Sequence, residues 1–391
     1  MFEMTWQISR RNLFRASAAM AGAGVLQACT GGVPAAQPSV AANPKPPAAP
    51  VRRTDENVLR IVAPSGFAPD PARAQTGIER LQNAGFVVEN QAAAFRRHQR
   101  FAGSDAERTA DVQDVASGRA ATPKVMMGLR GGYGAQRLLP HIDFASLAAR
   151  MREHATLFFG FSDVCALQLA LLAKGGYPSF AGPMVYSEFG KPIPGSYTMD
   201  SFVQCASNSG YTVSVSAFGR ENVNIGGTLW GGNLSVLAAL AGSLYLPDIK
   251  GGILFLEDVG EQPYRIERML QTLLLAGVLQ KQQAIVFGDF RMGNIRDVYD
   301  GGYDFNAVIQ AVSRMARVPV LTGFPFGHIA NKTTFPLGAQ AQIRSAGGGY
   351  TVAFSDYPTL DKNGLNLDSL LPQPDFTGGA AASPEEKTDL E

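Results

Sequence analysis

Apolar residues along the first half of the chain fall alternately into short continuous runs and into helical spacing. The run Val58–Val62 predicts a buried strand, and the spacing of apolar residues over 71–84 predicts the helix that follows it. Further strands are predicted at 86–88, 124–129 and 157–159, with helices at 106–118 and 164–174. Strands that alternate with helices are typical of a parallel sheet covered by helices on both faces, so we expect an α/β domain with a parallel sheet over residues 54–210.

Strands and glycines become more frequent from Tyr211 onward. Strands are predicted at 211–217, 224–233, 252–256, 284–288 and 319–323, and helices at 233–244, 264–276 and 305–316. This mixture predicts a second, β-rich and barrel-like α/β domain over residues 211–371. The polar, glycine-rich and acidic residues 372–391 predict a disordered tail.

The N-terminal 29 residues have the features of an export signal. Arg10 and Arg11 precede a short, mildly apolar stretch, as in twin-arginine signals, and Leu26–Cys29 resembles a lipobox. We therefore expect Cys29 to carry a lipid and residues 30–53, rich in Pro and Ala, to form a disordered tether. Thr30 after Cys29 favours a periplasmic protein held at the outer membrane; either Met1 or Met4 is the start.

Composition narrows the classes of function. The 391 residues carry a net charge of only +1, which gives no electrostatic footprint for nucleic acid, and no run approaches the ~20 apolar residues of a spanning helix. The four histidines and three cysteines lack zinc-site spacing, so we expect neither a metal nor another cofactor. Cys165 and Cys205 are expected to be buried thiols, with a disulfide as the alternative.

The strand ending at Phe159 runs directly into a sharp turn and a helix, with Ser162 in the turn. A serine placed there points toward the positive end of the helix, where backbone amides stabilise an oxyanion, so Ser162 is our candidate nucleophile. The alternative is that Ser162 and Asp163 only cap the helix. Val164 stands where the α/β-hydrolase elbow has glycine, so that family is not matched.

Three other stretches offer groups that a serine nucleophile needs. The glycine-rich loop 130–134 suits an oxyanion or a phosphate, although it lacks the end of a P-loop. His328 follows a strand and is the candidate base. Three candidate carboxylates for orienting it follow another strand, and their spacing does not choose among Glu257, Asp258 and Glu261. Arg130 is a candidate for binding a terminal carboxylate, with a structural salt bridge as its alternative.

Five motifs, in this order, closely resemble the LD-carboxypeptidase family of serine peptidases, which also contains the microcin C immunity proteins. They are Gly128-Leu129-Arg130-Gly131-Gly132-Tyr133-Gly134 with 137–140, Gly160-Phe161-Ser162-Asp163, Gly231-Gly232-Asn233-Leu234, Leu256-Glu257-Asp258-Val259, and Gly327-His328 with Asn331. The resemblance implies a Ser162-Glu257-His328 triad and an oxyanion hole from the amides of Asp163 and Gly132. It also implies a flavodoxin-like N-terminal domain, a β-rich C-terminal domain, a cleft between the two, and a homodimer.

The function that the resemblance implies is removal of the terminal D-alanine from the L-centre of the diamino acid in peptidoglycan tetrapeptides. Whether crosslinked stems are also cleaved, as by an LD-endopeptidase, is left open by the sequence. The expected partners are therefore peptidoglycan stem peptides and, through the lipid, a membrane. Two alternatives are kept: hydrolysis of aminoacyl-nucleotide antibiotics, and a catalytically silent peptidoglycan-binding lipoprotein. Many members of the family lack an export signal, so the predicted leader leaves the exact substrate open.

Overall fold

The computed structural model describes residues 54–216, 223–346 and 348–371. The strands in these residues form two β-sheets. The predictions made for residues 1–53 and 372–391, lipidation of Cys29 among them, lie outside the described residues. Both sheets belong to one compact unit. The α/β class with a parallel sheet and a mixed, curled sheet is confirmed.

The first sheet has the strand order β11-β5-β4-β3-β1-β2. Its strands are β1 (Val58–Val62), β2 (Val87–Glu89), β3 (Val125–Gly128), β4 (Leu157–Gly160), β5 (Ser179–Ala181) and β11 (Phe335–Leu337). Strands β1 to β5 run parallel, and β11 is antiparallel to β5. Because the strands are buried on both faces, their sequences are nearly continuous apolar runs.

The second sheet has the order β10-β9-β8-β7-β12-β13-β6. Its strands are β6 (Tyr211–Val215), β7 (Asn224–Asn233), β8 (Ile253–Glu257), β9 (Ala284–Phe287), β10 (Val320–Leu321), β12 (Ala339–Ala346) and β13 (Gly349–Ser355). Strands β7 to β10 are parallel, whereas β12, β13 and β6 add antiparallel pairs. The carboxyl ends of β7 and β8 therefore lie side by side, with Asn233 paired to Glu257.

The described residues form eight α-helices. They are α1 (Pro71–Asn83), α2 (Asp105–Ala116), α3 (Phe144–Glu153), α4 (Cys165–Gly175), α5 (Ser196–Ser207), α6 (Leu234–Leu240), α7 (Pro263–Leu275) and α8 (Phe305–Ala316). Five of the eight, α1, α2, α3, α6 and α8, begin where a polar side chain accepts a hydrogen bond from a first-turn amide. Asp70 caps α1, Ser104 and Glu107 form a capping box on α2, and Asn233 caps α6, as its position before the helix predicted. In the described chain, no helix has the length and apolarity needed to span a membrane.

Helix α4 packs against strand β7 of the other sheet. It follows residues 161–164, which carry the candidate nucleophile Ser162 and are called the nucleophile turn below. The Cys165 thiol donates to the carbonyl of Gly231, with 3.6 Å between Sγ and O. A Cβ on Gly232 would lie 2.5 Å from that sulfur, so glycine is required there for the close approach. This contact brings the end of β4 close to the end of β7.

Several elements were absent from the sequence-based prediction. These are α3, β5, α5, β11, β12, β13 and the π-helical turn Val185–Phe189. Strand β11 comes late in the chain yet joins the first sheet, and β6 opens the second sheet at Tyr211. The division at residue 210 into two domains stays a prediction. Both Cys165 and Cys205 are free, buried thiols, as expected.

Candidate active site

The backbone at Ser162 is strained. Strand β4 ends at Gly160, helix α4 begins at Cys165, and between them Ser162 takes a φ of +59°, in the left-handed region that non-glycine residues rarely occupy. Its side chain is only partly buried. Strain of this kind costs about 1–3 kcal/mol and persists where the surroundings fix the turn, which makes the turn a candidate functional site.

The glycine-rich loop after β3 lies directly against this serine. A Cβ on Gly131 would lie 2.6 Å from Oγ of Ser162, so only glycine leaves the hydroxyl its space. The next residue, Gly132, has a φ of +119°. Within the described residues its amide donates no hydrogen bond. The loop thus offers an unused backbone donor one residue from the point of contact with Ser162.

The side chain of Asp163 ties three segments together. Its Oδ2 accepts from Oγ of Ser65 at 2.6 Å and from the amide of Ala135 at 2.8 Å, and the side chain is buried. Burial raises the pKa of this carboxyl, against the lowering effect of those hydrogen bonds and of the Arg108 and Arg100 charges. The end of β1 and the glycine loop are therefore fixed to the nucleophile turn.

His328 contacts one carboxylate. Its Nδ1 donates to Oε2 of Glu257 at 2.9 Å, where the imidazole is 20% exposed and the carboxylate 1% exposed. The other oxygen of Glu257 accepts from Nδ2 of Asn233 at 3.2 Å. Glu257 thus fixes the ring so that Nε2 is left as the acceptor.

The two neighbouring acids have other partners. Asp258 accepts from the amide and hydroxyl of Ser235, and burial together with the Glu257 charge raises its pKa to about 6. Glu261 pairs with Arg265 at 3.7 Å. Of the three acids, it is therefore Glu257, the residue that the resemblance implied, whose carboxylate contacts His328. Its role in orienting a base stays a prediction.

His328 reaches the first sheet through an aromatic contact. Its ring centroid lies 5.3 Å from that of Phe161, the residue before Ser162. The ring centroid of Phe326 lies 5.7 Å from that of Phe161. Gly327 has a φ of +152°, and a Cβ there would meet the carbonyl of Asp289 at 2.6 Å. The loop geometry therefore places the imidazole beside the nucleophile turn.

A buried ion pair lies beneath the same phenylalanine. Nζ of Lys332 is 2.5 Å from Oε1 of Glu188 and 4.6 Å from the centroid of the Phe161 ring. Lys332 is four residues beyond His328, whereas Glu188 belongs to the π-helical turn beside the first sheet. Sequence reasoning missed this pair, because the two residues are 144 positions apart and neither stands in a recognisable motif.

The remaining candidate, Arg130, is 9% exposed. Its Nη1 donates to the carbonyl of Phe67 at 3.3 Å, and its guanidinium lies 5.7 Å from the centroid of the Tyr186 ring. It stands at the start of the glycine loop. No group of His, Cys, Asp and Glu in the described ranges is arranged to hold a metal ion.

The chain matches two family models, the LD-carboxypeptidase N-terminal domain at residues 59–182 and the LD-carboxypeptidase C-terminal domain at residues 226–343. A probable murein peptide carboxypeptidase of Bacillus subtilis (strain 168) is 30% identical over 293 residues, 74% of this chain and 89% of that protein. The chain belongs to the LD-carboxypeptidase family.

Two other members of the LD-carboxypeptidase family extend the likeness. The crystal structure of muramoyltetrapeptide carboxypeptidase from Oxalobacter formigenes superposes with a TM-score of 0.70 at 40% identity, covering 78% of this chain and 100% of that one. The microcin C7 self-immunity protein MccF of Escherichia coli is 28% identical over 301 residues, 68% of this chain and 84% of that protein. The predicted family is confirmed.

The contact between His328 and Glu257 predicts a pH dependence. Burial lowers the pKa of His328, but the charge and hydrogen bond of Glu257 outweigh burial, so the pKa is raised above the ordinary 6.5. If His328 acts as a base it must be neutral, so we expect activity to rise with pH through this raised pKa. Glu257→Gln removes the two largest effects that raise the pKa of His328. The weaker effect of the Asp258 charge stays, while burial and the nearby Lys332 charge still lower the pKa.

We therefore expect a midpoint above 6.5 in the parent and a lower midpoint in Glu257→Gln. The measurement is titration of the His328 ring protons by NMR, with the acidic limb of kcat/KM against pH alongside it. An unchanged His328 midpoint in the variant would contradict the assigned contact.

Proposed function

We propose that this chain is a serine-type LD-carboxypeptidase that removes the terminal D-alanine from the L-centre of the diamino acid in peptidoglycan tetrapeptides. The supporting observation is the imidazole of His328, held by Glu257 from the second sheet and placed beside the strained Ser162 turn of the first. Family membership supports a peptidase, and relatives are named murein peptide carboxypeptidases.

In this proposal Ser162 is the nucleophile. Nε2 of His328 takes the hydroxyl proton as Oγ attacks the carbonyl carbon, and Glu257, on Nδ1, stabilises the imidazolium that forms. The imidazolium then gives its proton to the leaving amino group of D-alanine. Water, deprotonated by the same imidazole, then attacks the acyl carbon. The bond to Oγ of Ser162 breaks, the imidazolium returns its proton to Oγ, and the shortened stem peptide is released.

The developing oxyanion needs donors that are in place before the reaction. We assign the amides of Asp163 and Gly132 to this role. The unused donor at Gly132 and the hydrogen bonds that the Asp163 carboxylate accepts from Ser65 and Ala135 support the assignment, because they fix the loop to the turn. Arg130, at the start of that loop, is our candidate for binding the terminal carboxylate of the peptide.

The test is incubation of the purified mature protein with a disaccharide tetrapeptide, followed by measurement of free D-alanine. Release of D-alanine supports the proposal, and binding without release would indicate a silent peptidoglycan-binding protein instead. A parallel assay on an aminoacyl sulfamoyl nucleoside tests the alternative suggested by likeness to MccF. Crosslinked stem dimers, digested in the same way, test the additional endopeptidase activity.

The export proposal gives a separate prediction. We propose that a lipid on Cys29 anchors the protein on the periplasmic side of a membrane, with the outer membrane favoured by Thr30. Cys29→Ala is expected to move the protein from the membrane fraction to the soluble periplasm, as followed by immunoblotting of cell fractions. Retention of the variant in the membrane would overturn the lipid anchor.

A homodimer is likewise a proposal, derived from the resemblance to the family. Light scattering on the purified mature protein measures its mass directly, and a monomer at working concentration would refute the proposal.

A further inference from the structure

The order of the first sheet has a switch point between β1 and β3, where a ligand-binding crevice is expected. These strands are neighbours, but the chain leaves β1 toward β2 on one side, whereas the connections after β3 lead toward β4 and β5 on the other. In open parallel sheets, such a switch in direction opens a ligand-binding crevice at the carboxyl ends of the strands. The nucleophile turn follows β4, the strand next to β3.

Three loops meet at this crevice within contact distance. The amide of Gly66, after β1, donates to the carbonyl of Gly131 at 3.2 Å. A Cβ on Gly66 would lie 3.8 Å from Nε of Arg130 and 3.8 Å from the carbonyl of Arg100, which belongs to the loop after β2. Since Gly131 itself touches Ser162, the crevice opens beside the reacting hydroxyl.

Arg100 presents an exposed guanidinium at the edge of this crevice. The guanidinium lies 5.6 Å from the ring centroid of Tyr133, which is 50% exposed and belongs to the glycine loop. No carboxylate in the described chain forms an ion pair with Arg100. By contrast, Arg96, Arg108 and Arg137, on the neighbouring segments, are each paired with an aspartate.

The charge of Arg100 nevertheless reaches the site. It acts on the buried carboxyl of Asp163, the residue after the nucleophile, without hydrogen bonding to it. A guanidinium that stacks on an aromatic ring keeps its hydrogen-bonding edge turned outward and restricted in orientation, which suits planar, two-point recognition of a carboxylate. An exposed arginine placed only for solubility would have no reason to stand at the switch point.

We propose that Arg100, resting on Tyr133, binds a carboxylate of the peptide substrate at the crevice between β1 and β3. This inference rests on the proposed function and adds a specificity-determining residue to it. A stem peptide has two sources of the same chemistry: the terminal carboxylate of D-alanine, and the carboxylates upstream of the scissile bond. Arg100 serves one of them, and Arg130, more deeply buried, lies beneath the same crevice.

The experiment compares three substrates: the free tetrapeptide, its C-terminal amide, and a tetrapeptide with the upstream carboxylates amidated. Arg100→Gln is expected to raise KM for the free tetrapeptide about 10- to 100-fold with kcat changed less than threefold, because a hydrogen bond to a charged group contributes about 1.5–3 kcal/mol. On the substrate that lacks the recognised carboxylate, parent and variant should have the same KM. The amidated substrate on which parent and variant no longer differ in KM identifies the carboxylate that Arg100 binds.

Arg268→Gln is the matched control. Arg268 is also exposed and lies 5.9 Å from the ring centroid of Tyr264, but it belongs to α7. The KM of Arg268→Gln should equal that of the parent on all three substrates. Thermal melting checks that Arg100→Gln and Arg268→Gln are both folded. Arg100→Lys, which keeps the charge without the planar fork, should recover only part of the loss.

The inference is overturned if Arg100→Gln leaves KM for the free tetrapeptide unchanged, or if it raises KM by the same factor on all three substrates. Both outcomes are measured against a parent enzyme that releases product. If the parent releases no product from any of the three, it is the proposed function that fails.

Discussion

Replacement of Ser162 by Ala is expected to lower kcat for D-alanine release by about 10⁴- to 10⁶-fold, because the covalent step then has no nucleophile. The oxyanion donors and the binding of substrate stay in place, so KM should change little. Release of D-alanine from the disaccharide tetrapeptide, followed in a single-turnover assay, measures the effect.

A second serine at a helix terminus serves as the control. It distinguishes loss of the nucleophile from loss of a hydroxyl that only stabilises a helix. Ser196 is exposed at the start of α5. Ser196→Ala should therefore keep parental kcat. If Ser162 only caps a helix, the two substitutions should instead behave alike, with small changes in stability and full activity.

The second large effect concerns the two adjacent acids at the end of β8. Glu257→Gln is expected to lower kcat about 10³- to 10⁴-fold, because an amide in that position neither fixes the required tautomer of His328 nor stabilises the imidazolium. Asp258→Asn should cost less than tenfold, since the Asp258 carboxylate contacts Ser235 and Asn233 and not the imidazole.

The measurement is kcat for both variants at the optimum pH of each, with circular dichroism to confirm that both are folded. A larger loss in Asp258→Asn than in Glu257→Gln would show that the wrong carboxylate has been assigned. His328→Ala should resemble Ser162→Ala in the size of its effect, since the two side chains act as one unit.

The local sequence pattern was sufficient to predict those elements whose conformation depends on one segment of the chain alone. The apolar run Leu157–Phe159, the turn and the helix ending at Gly175 formed as predicted, because burial on both faces, a tight turn and a glycine C-cap are local properties. The capping role of Asn233 follows from the same kind of signal. The ends of helices differed from prediction by a few residues.

Contacts between distant segments could not be derived in this way. Nothing near Glu257 indicates that it meets an imidazole 71 residues later, and Asp258 stands in an equivalent position by spacing. Strand β11 contributes Phe335 to the aromatic cluster with Phe255 and Phe326, a placement set by packing across the two sheets. Only the resemblance to the family singled out Glu257, the carboxylate that contacts His328 in the structure.

The claim on which the account depends is that a base from the second sheet activates Ser162 of the first. The most direct test is the rate at which a fluorophosphonate reacts with the protein, with the modified residue located by mass spectrometry. We predict phosphonylation of Ser162 in the parent, at least about 100-fold slower in His328→Ala. Modification of another residue, or equal rates in parent and variant, would contradict it.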